Sequence, residues 1–184
     1  EGAAEFQLGL ALMYDLGEGV PEDDEEAVKW YRLAADQGYA DAQYSLGTMY
    51  DSGHGVPQDS EEAIKWFRLA SDQENALAQH GLGNRYYLGR GVPQDYAEAV
   101  KWFRLAAYQG NAFSQHSLGN MYYEGEGVPS NYVTAYAWWN IAAASGHEDA
   151  IRSWSILEES MTPAQIAEAQ QLSTEIFERI QQGN

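Results

Sequence analysis

Apolar and polar positions along this chain fall into two alternating helical phases separated by glycine-rich turns. In the stretch from Ala40 to Ser52, the residues Ala42, Leu46, Met49, Tyr50 and Gly53 share one face at a helical period of about 100° per residue. This predicts a first helix over that span. Gly53 and Gly55 supply positive φ for the turn that follows, and Pro57 sets its exit. A second helix opens at Asp59, with Glu62 three residues on, in the pattern of a capping box. Ala63, Trp66, Phe67 and Ala70 form its apolar stripe, while Glu61, Lys65, Arg68 and Asp72 are expected to pair at (i, i+4) on a solvated face. Small Ala42 admits the neighbouring unit, and Gly47 is expected to do the same for the partner helix.

The same pattern returns every 36 residues: Trp30, Trp66, Trp102 and Trp138; Gly17, Gly53, Gly89 and Gly125; Tyr14, Tyr50, Tyr86 and Tyr122. Val20-Pro21 recurs as Val56-Pro57, Val92-Pro93 and Val128-Pro129. Four units follow, at about 3–39, 40–75, 76–111 and 112–147, without insertion or deletion. Asp23/Glu26 and Asp95/Glu98 repeat the capping box, and Gly38, Gly110 and Gly146 are placed to close their helices in the left-handed conformation. Glu74 stands where a glycine belongs, so an irregularity is expected at Gln73–Asn75. Gly2 lies 36 residues before Gly38, so Glu1-Gly2 reads as the end of a preceding unit. With no polar capping helix before Phe6, the expectation is that upstream sequence has been removed or that another chain covers this end. Self-association through the N-terminal repeat is left open.

The pattern Ala40, Ala42, Leu46, Gly47, Tyr50, Gly53, Gly55, Val56, Pro57, Asp59, Ala63, Trp66, Ala70 resembles the Sel1-like repeat (SLR) family, relatives of the tetratricopeptide repeats. Ala11 departs from it where Gly47 stands, and Phe6 where Ala42 stands. The resemblance implies an all-α fold, a right-handed α/α solenoid of helix-turn-helix repeats with a C-terminal capping helix. Residues 148–184 are similar to that cap. Ala150, Trp154 and Leu157 read as a degenerate first helix, and Thr162-Pro163-Ala164-Gln165 is a capping box opening a last helix through about Gln181, which should cover the end of the stack. The family also implies a bacterial protein, with periplasm or secretion slightly favoured over cytoplasm.

Charge narrows the partners. The net charge is -18 and the pI about 4.3, which repels phosphate backbones and anionic bilayers, so neither nucleic acid nor membrane is expected as a partner. Apolar runs fall far short of the ~20 residues needed to cross a bilayer, so no membrane insertion is expected. The absence of cysteine excludes disulfides and thiolate sites. The first residue is not methionine and no leader precedes it, so either a signal segment was removed or a longer protein was trimmed.

Repeat arrays bury their repeated residues, so function is expected at the variable ones. On the first helices these form ladders: Leu8, Tyr44, His80, His116; Leu12, Thr48, Asn84, Asn120; Asp15, Asp51, Tyr87, Tyr123; with Leu77 and Phe113 beside them. The likeness to tetratricopeptide repeats implies that this face lines a concave groove. The partner-binding set is therefore Tyr44, Thr48, Asp51, Leu77, His80, Asn84, Tyr87, Phe113, His116, Asn120 and Tyr123. Asn can give and accept a bidentate pair from an extended peptide, and Tyr is favoured at hot spots. The competing reading is that these residues pack on one another. His80 and His116 stand one repeat apart, about 10 Å, which is long for shared metal coordination; no metal or cofactor is expected. His54 sits in a turn and His147 at a helix end, without an obvious partner. Arg85, adjacent to Asn84, could meet a carboxylate, though a solvated arginine is favoured. The Gly-x-Gly turns lack the lysine of a phosphate loop, and Asp23, Asp59 and Asp95 are explained as N-caps. The leading function is a non-catalytic scaffold or adaptor that binds a protein or peptide segment in the groove. A glycan or small-molecule binder using the groove tyrosines is the alternative. Enzymatic activity ranks last, since no base–nucleophile pair is present.

Overall fold

The computed structural model describes residues 2–183, and every regular element among them is an α-helix. The helices are α1 (Gly2–Leu16), α2 (Asp24–Asp36), α3 (Ala40–Ser52), α4 (Ser60–Ser71), α5 (Ala76–Leu88), α6 (Tyr96–Tyr108), α7 (Ala112–Glu124), α8 (Tyr132–Ala144), α9 (Glu148–Glu158) and α10 (Pro163–Gln182). The predicted first helix of the second repeat matches α3 to the residue. Gly2 is instead helical and opens α1, unlike Gly38, which takes the left-handed conformation. Glu1 lies outside the described residues.

Second helices begin where their N-caps sit. Asp23, Asp59, Asp95 and Asn131 each accept a backbone N–H from the first turn at 3.0–3.1 Å, worth about 1 kcal/mol apiece. The reciprocal half of the expected capping boxes does not form in these helices. The backbone N–H of Asp59, Asp95 and Asn131 goes to the carbonyl of Tyr50, Tyr86 and Tyr122 at 2.8–2.9 Å, tying each second helix to the end of its first. Glu62 and Glu98 are thereby released to pair with Lys65 at 3.1 Å and Lys101 at 2.6 Å. These ion pairs are (i, i+3): Lys65 pairs with Glu62 where a pair with Glu61 at (i, i+4) was expected. Arg32 and Arg104 also leave the solvated face: each donates to the tyrosine hydroxyl of the next first helix, Tyr50 and Tyr122, the latter at 3.0 Å. The complete capping box is at Thr162 and Gln165, ahead of α10.

At the end of α4 the backbone follows the pattern of the other repeats despite Glu74. Gln73, Glu74 and Asn75 donate to Ala70, Ser71 and Ala70 carbonyls, as Gln37, Gly38 and Tyr39 donate to Ala34, Ala35 and Ala34. The irregularity is confined to two features: α4 ends one residue early, and Glu74 takes φ 62°, a left-handed strain of about 1 kcal/mol. The six-to-one bond pattern of the helix end outweighs it.

The chain divides into two compact units, residues 1–82 and 83–184, with the boundary inside α5. Unit 1 has a core of Ala27, Val28, Tyr31, Leu46, Met49 and Trp66 among its buried residues. Unit 2 has two apolar clusters. One joins Val100, Phe103, Leu118, Met121, Trp138 and Ile141 to Ile176 of α10. The other joins Tyr136, Trp139 and Ala142 of α8 to Ala150 and Leu157 of α9 and Ala169 of α10. α10 thus lies along α8 and reaches α6. Its Ser173 hydroxyl donates to the Ala169 carbonyl of its own helix at 2.8 Å and accepts from the Asn140 amide of α8 at 3.3 Å. In α8 the Lys and Arg positions of α2, α4 and α6 are Ala137 and Asn140, since this face meets α10 rather than water.

Candidate functional site

The second helices contribute one aromatic ring per repeat to the underside of the first helices: Tyr31, Phe67, Phe103 and Trp139. Each is almost wholly buried. Glycine makes room for the last three. A Cβ on Gly47 would lie 2.8 Å from the Phe67 ring, one on Gly83 2.5 Å from Phe103, and one on Gly119 2.3 Å from Trp139. The glycine expectation therefore holds, and the ring it serves is the residue after the signature tryptophan. Phe67 also faces Gly81 of the following first helix at 3.5 Å. The ring forms the floor between two successive first helices.

In unit 2 these floors underlie two clefts. The narrow one, about 90 Å³, is lined by Asn84, Tyr87, Phe103, Ser117, Asn120 and Met121. The wide one, about 390 Å³, is lined by Tyr123, Trp139, Ser153, Ile156, Leu157 and Ser160. Five of the lining positions correspond at the 36-residue spacing: Tyr87 with Tyr123, Phe103 with Trp139, Ser117 with Ser153, Asn120 with Ile156, Met121 with Leu157. The clefts are the same site in successive repeats.

Of the predicted residues, Asn84, Tyr87, Asn120 and Tyr123 come together on these clefts. Asn120 is exposed, but its Oδ1 accepts from Trp139 Nε1 at 3.0 Å, and the His116 carbonyl accepts from the same N–H at 3.2 Å. Its outward capacity is reduced to the amide NH2, so the bidentate role written for it narrows to donation. The tyrosines lean on neighbouring rings. Tyr87 meets Tyr96 at 5.4 Å, and Tyr123 lies between Tyr132 at 5.3 Å and Trp139 at 5.5 Å. Burial and then a hydrogen bond to the Glu126 carboxylate push the Tyr87 phenol above its ordinary range, so it stays protonated as a donor.

His116 and His147 form a pair not foreseen from the sequence. Their rings stack at 4.6 Å, and the Phe113 ring meets His147 edge-on at 5.1 Å. His147 is the N-cap of α9, its Nδ1 accepting from Ala150 N at 3.3 Å. It therefore has partners on both sides, where none was apparent from its position at a helix end. Burial first and the charge of His147 second hold the His116 imidazole below its ordinary value.

In unit 1, Tyr44 is half-buried with its ring 5.9 Å from Phe67. Thr48 is exposed and turns its hydroxyl back to the Tyr44 carbonyl at 3.1 Å, while the Asp51 carbonyl accepts from Gln58 at 2.7 Å. Asp15, on the same rung as Asp51, accepts from the buried Tyr31 hydroxyl at 2.7 Å. Leu77 is exposed and His80 half-buried on α5. No group of three or more His, Asp or Glu residues is arranged to hold a metal ion among the described residues. No described helix is long and apolar enough to cross a membrane.

Four consecutive matches to the Sel1 repeat model cover residues 2–39, 40–75, 76–111 and 112–147. The chain belongs to the Sel1 repeat family. Among solved structures, a protective antigen of uropathogenic Escherichia coli displaying an SLR fold is 37% identical, with a TM-score of 0.84 over 100% of this chain and 39% of that one. A Sel1 repeat protein from Oxalobacter formigenes is 42% identical, with a TM-score of 0.74 over 84% of this chain and 45% of that one. The chain spans less than half the length of either. A search of curated proteins finds no match. Sel1 repeats in general mediate protein–protein interactions and act as non-catalytic scaffolds.

Proposed function

We propose that this Sel1 repeat chain is a non-catalytic scaffold that binds an extended segment of a protein partner along the exposed face of its first helices. The observation that carries this reading is the repetition of one cleft at a fixed 36-residue register in unit 2. A periodic row of aromatic-floored clefts suits a periodic ligand, and an extended polypeptide is one. Asn84 and the Asn120 amide stand beside them as groups able to meet a peptide backbone. Contacts of this size correspond to micromolar affinity, about -8 kcal/mol. The glycan alternative draws less support, since Tyr87 and Tyr123 each spend ring surface on neighbouring aromatics.

The test is a display screen of random twelve-residue peptides against the wild-type chain, counter-selected with Asn84→Ala/Tyr87→Ala/Asn120→Ala. Peptides held at least tenfold more tightly by the wild type are the expected outcome. Peptides bound equally by both, with the variant's helicity intact, would move the site to another face.

A further inference from the structure

The ladders of the first-helix face continue into α9, where Ile156 takes the rung of Asn84 and Asn120, and onto its C-cap Glu159, which takes the rung of Tyr87 and Tyr123. This substitution changes what the cleft can hold. At Asn120 the opening is mixed in character and about 90 Å³; at Ile156 it is more apolar and about 390 Å³, roomy enough for a leucine, methionine or aromatic side chain. Ile156 is 70% exposed, and Tyr123 and Tyr132 stand beside the opening at 40% and 49%. Three large apolar groups around one concavity are more than the scattered exposure normal for a surface.

Charge selects the neighbour of that side chain. Glu124 follows Tyr123, Glu159 precedes Ser160, and both carboxylates are exposed. Arg152, the one cation of α9, is occupied by Asp149. The adjoining carboxylates are therefore uncompensated by α9, on a chain whose net charge is -18. A basic residue beside the buried anchor meets them at short range, and the net charge steers it at longer range.

We infer that the cleft over Trp139 is the anchor site for a bulky apolar side chain flanked by Lys or Arg in the partner segment. The inference rests on the groove reading above and gives it polarity: backbone contacts at the Asn84–Asn120 cleft, an apolar anchor at the α9 end.

The experiment measures fluorescence polarisation with labelled eight-residue peptides of fixed Gly-Ser flanks carrying Leu-Lys, Trp-Lys, Ala-Lys, Leu-Glu or Leu-Ser at the centre. The proteins are wild type, Ile156→Asn and Asn84→Ala/Tyr87→Ala, with circular dichroism melts to establish folding. Ile156 is a solvent-exposed side chain, and its substitution rebuilds the rung present at Asn120. Leu-Lys and Trp-Lys should bind at least tenfold tighter than Ala-Lys and Leu-Glu, with the advantage over Leu-Glu shrinking in 0.5 M salt. Ile156→Asn should lose that tenfold. Binding lost in Asn84→Ala/Tyr87→Ala but unchanged in Ile156→Asn would overturn the anchor and leave the groove standing. No binding, or binding indifferent to both variants, would overturn both. A wild type that dimerises in sedimentation while Ile156→Asn stays monomeric would make the occupant a second copy and likewise overturn the proposal.

Discussion

The two clefts of unit 2 differ in volume by a factor of about four although five of their six lining positions correspond at the repeat spacing. The narrow cleft has Phe103 as its floor and the wide one the larger Trp139, so ring size does not set the space. What differs is how the ring is held and what stands above it. Trp139 is drawn beneath α7 by its N–H, which bonds Asn120 and the His116 carbonyl. Above it Asn gives way to Ile156, Met to Leu157 and the Tyr rung to Glu159. The turns and caps repeat while the floor ring and the rungs on the open face drift, and together these changes turn a narrow mixed slot into a wider, more apolar socket.

Removing each floor is the severest way to probe this contrast. Trp139→Ala is expected to cost about 4–5 kcal/mol and Phe103→Ala about 3–4 kcal/mol, read from urea unfolding of the two variants. Trp139 loses more because its removal deletes a larger ring and, with it, the indole N–H bonds to Asn120 and the His116 carbonyl. Equal losses would mean that the indole N–H bonds add nothing net and that the ring's position under α7 comes from packing alone.

Filling the glycine gap is a milder probe. Gly119→Ala places a Cβ 2.3 Å from Trp139, and Gly83→Ala one 2.5 Å from Phe103, so both overpack, at about 1–3 kcal/mol. Gly119→Ala should cost more, because Trp139 is pinned at two points and cannot slide. Thermal melting of the pair decides it. The first repeat shows the limit of the argument: Ala11 already occupies this position, fully buried, opposite Tyr31. There the ring is anchored outward, through its hydroxyl to Asp15, and the alanine fits.

Much of this was legible in the sequence. The 36-residue register placed the turns, the N-caps and the bounds of α3, since each follows from local chemistry. Trp66, Phe67 and Ala70 were placed correctly as buried. The registry of contacts between helices was less legible. A capping glutamate and a lysine three residues on do not reveal that the N-cap's own N–H is taken by the previous helix. Arg104 reads as solvated until the fold brings Tyr122 beneath it. Gln43 was missed altogether. It is buried, donates to the Ala35 carbonyl at 3.1 Å and accepts from Gln73 at 2.8 Å, tying α3 to α2 and to the turn after α4. Its signal was present as Gln7, Gln43, Gln79 and Gln115 at the repeat spacing. On the open face, the ladders were followed only to Tyr123. Residues 148–158 read as a degenerate helix, and the rungs Ile156 and Glu159 escaped because the repeat signature had already faded there.

The hydrogen bond that distinguishes the floors gives a smaller effect. Asn120→Ala removes the 3.0 Å acceptor of Trp139 Nε1 and leaves the His116 carbonyl at 3.2 Å. With one partner remaining, the N–H is not orphaned, and a loss of about 1 kcal/mol is expected in denaturant unfolding. A larger loss would mark Asn120 as the principal restraint on the ring and explain why the wide cleft stays open.

The gentlest probe uses acid. His116 joins α7 to the start of α9 by stacking on His147, and burial together with the charge of His147 keeps its imidazole below the ordinary value near 6.5, with Asp149 opposing. A histidine whose folded-state value lies below its unfolded one binds fewer protons when folded. Its stabilising contribution is complete above about pH 6.5 and is lost as the pH falls toward the folded value. The melting temperature should therefore drop between pH 7.5 and pH 5, by less in His116→Phe, which keeps a ring against His147 without the titrating group. An identical drop in both proteins would assign the acid response to other groups. A smaller drop in the variant would assign part of the acid response to this stack, which joins α7 to the start of α9 beside the wall of the wide cleft.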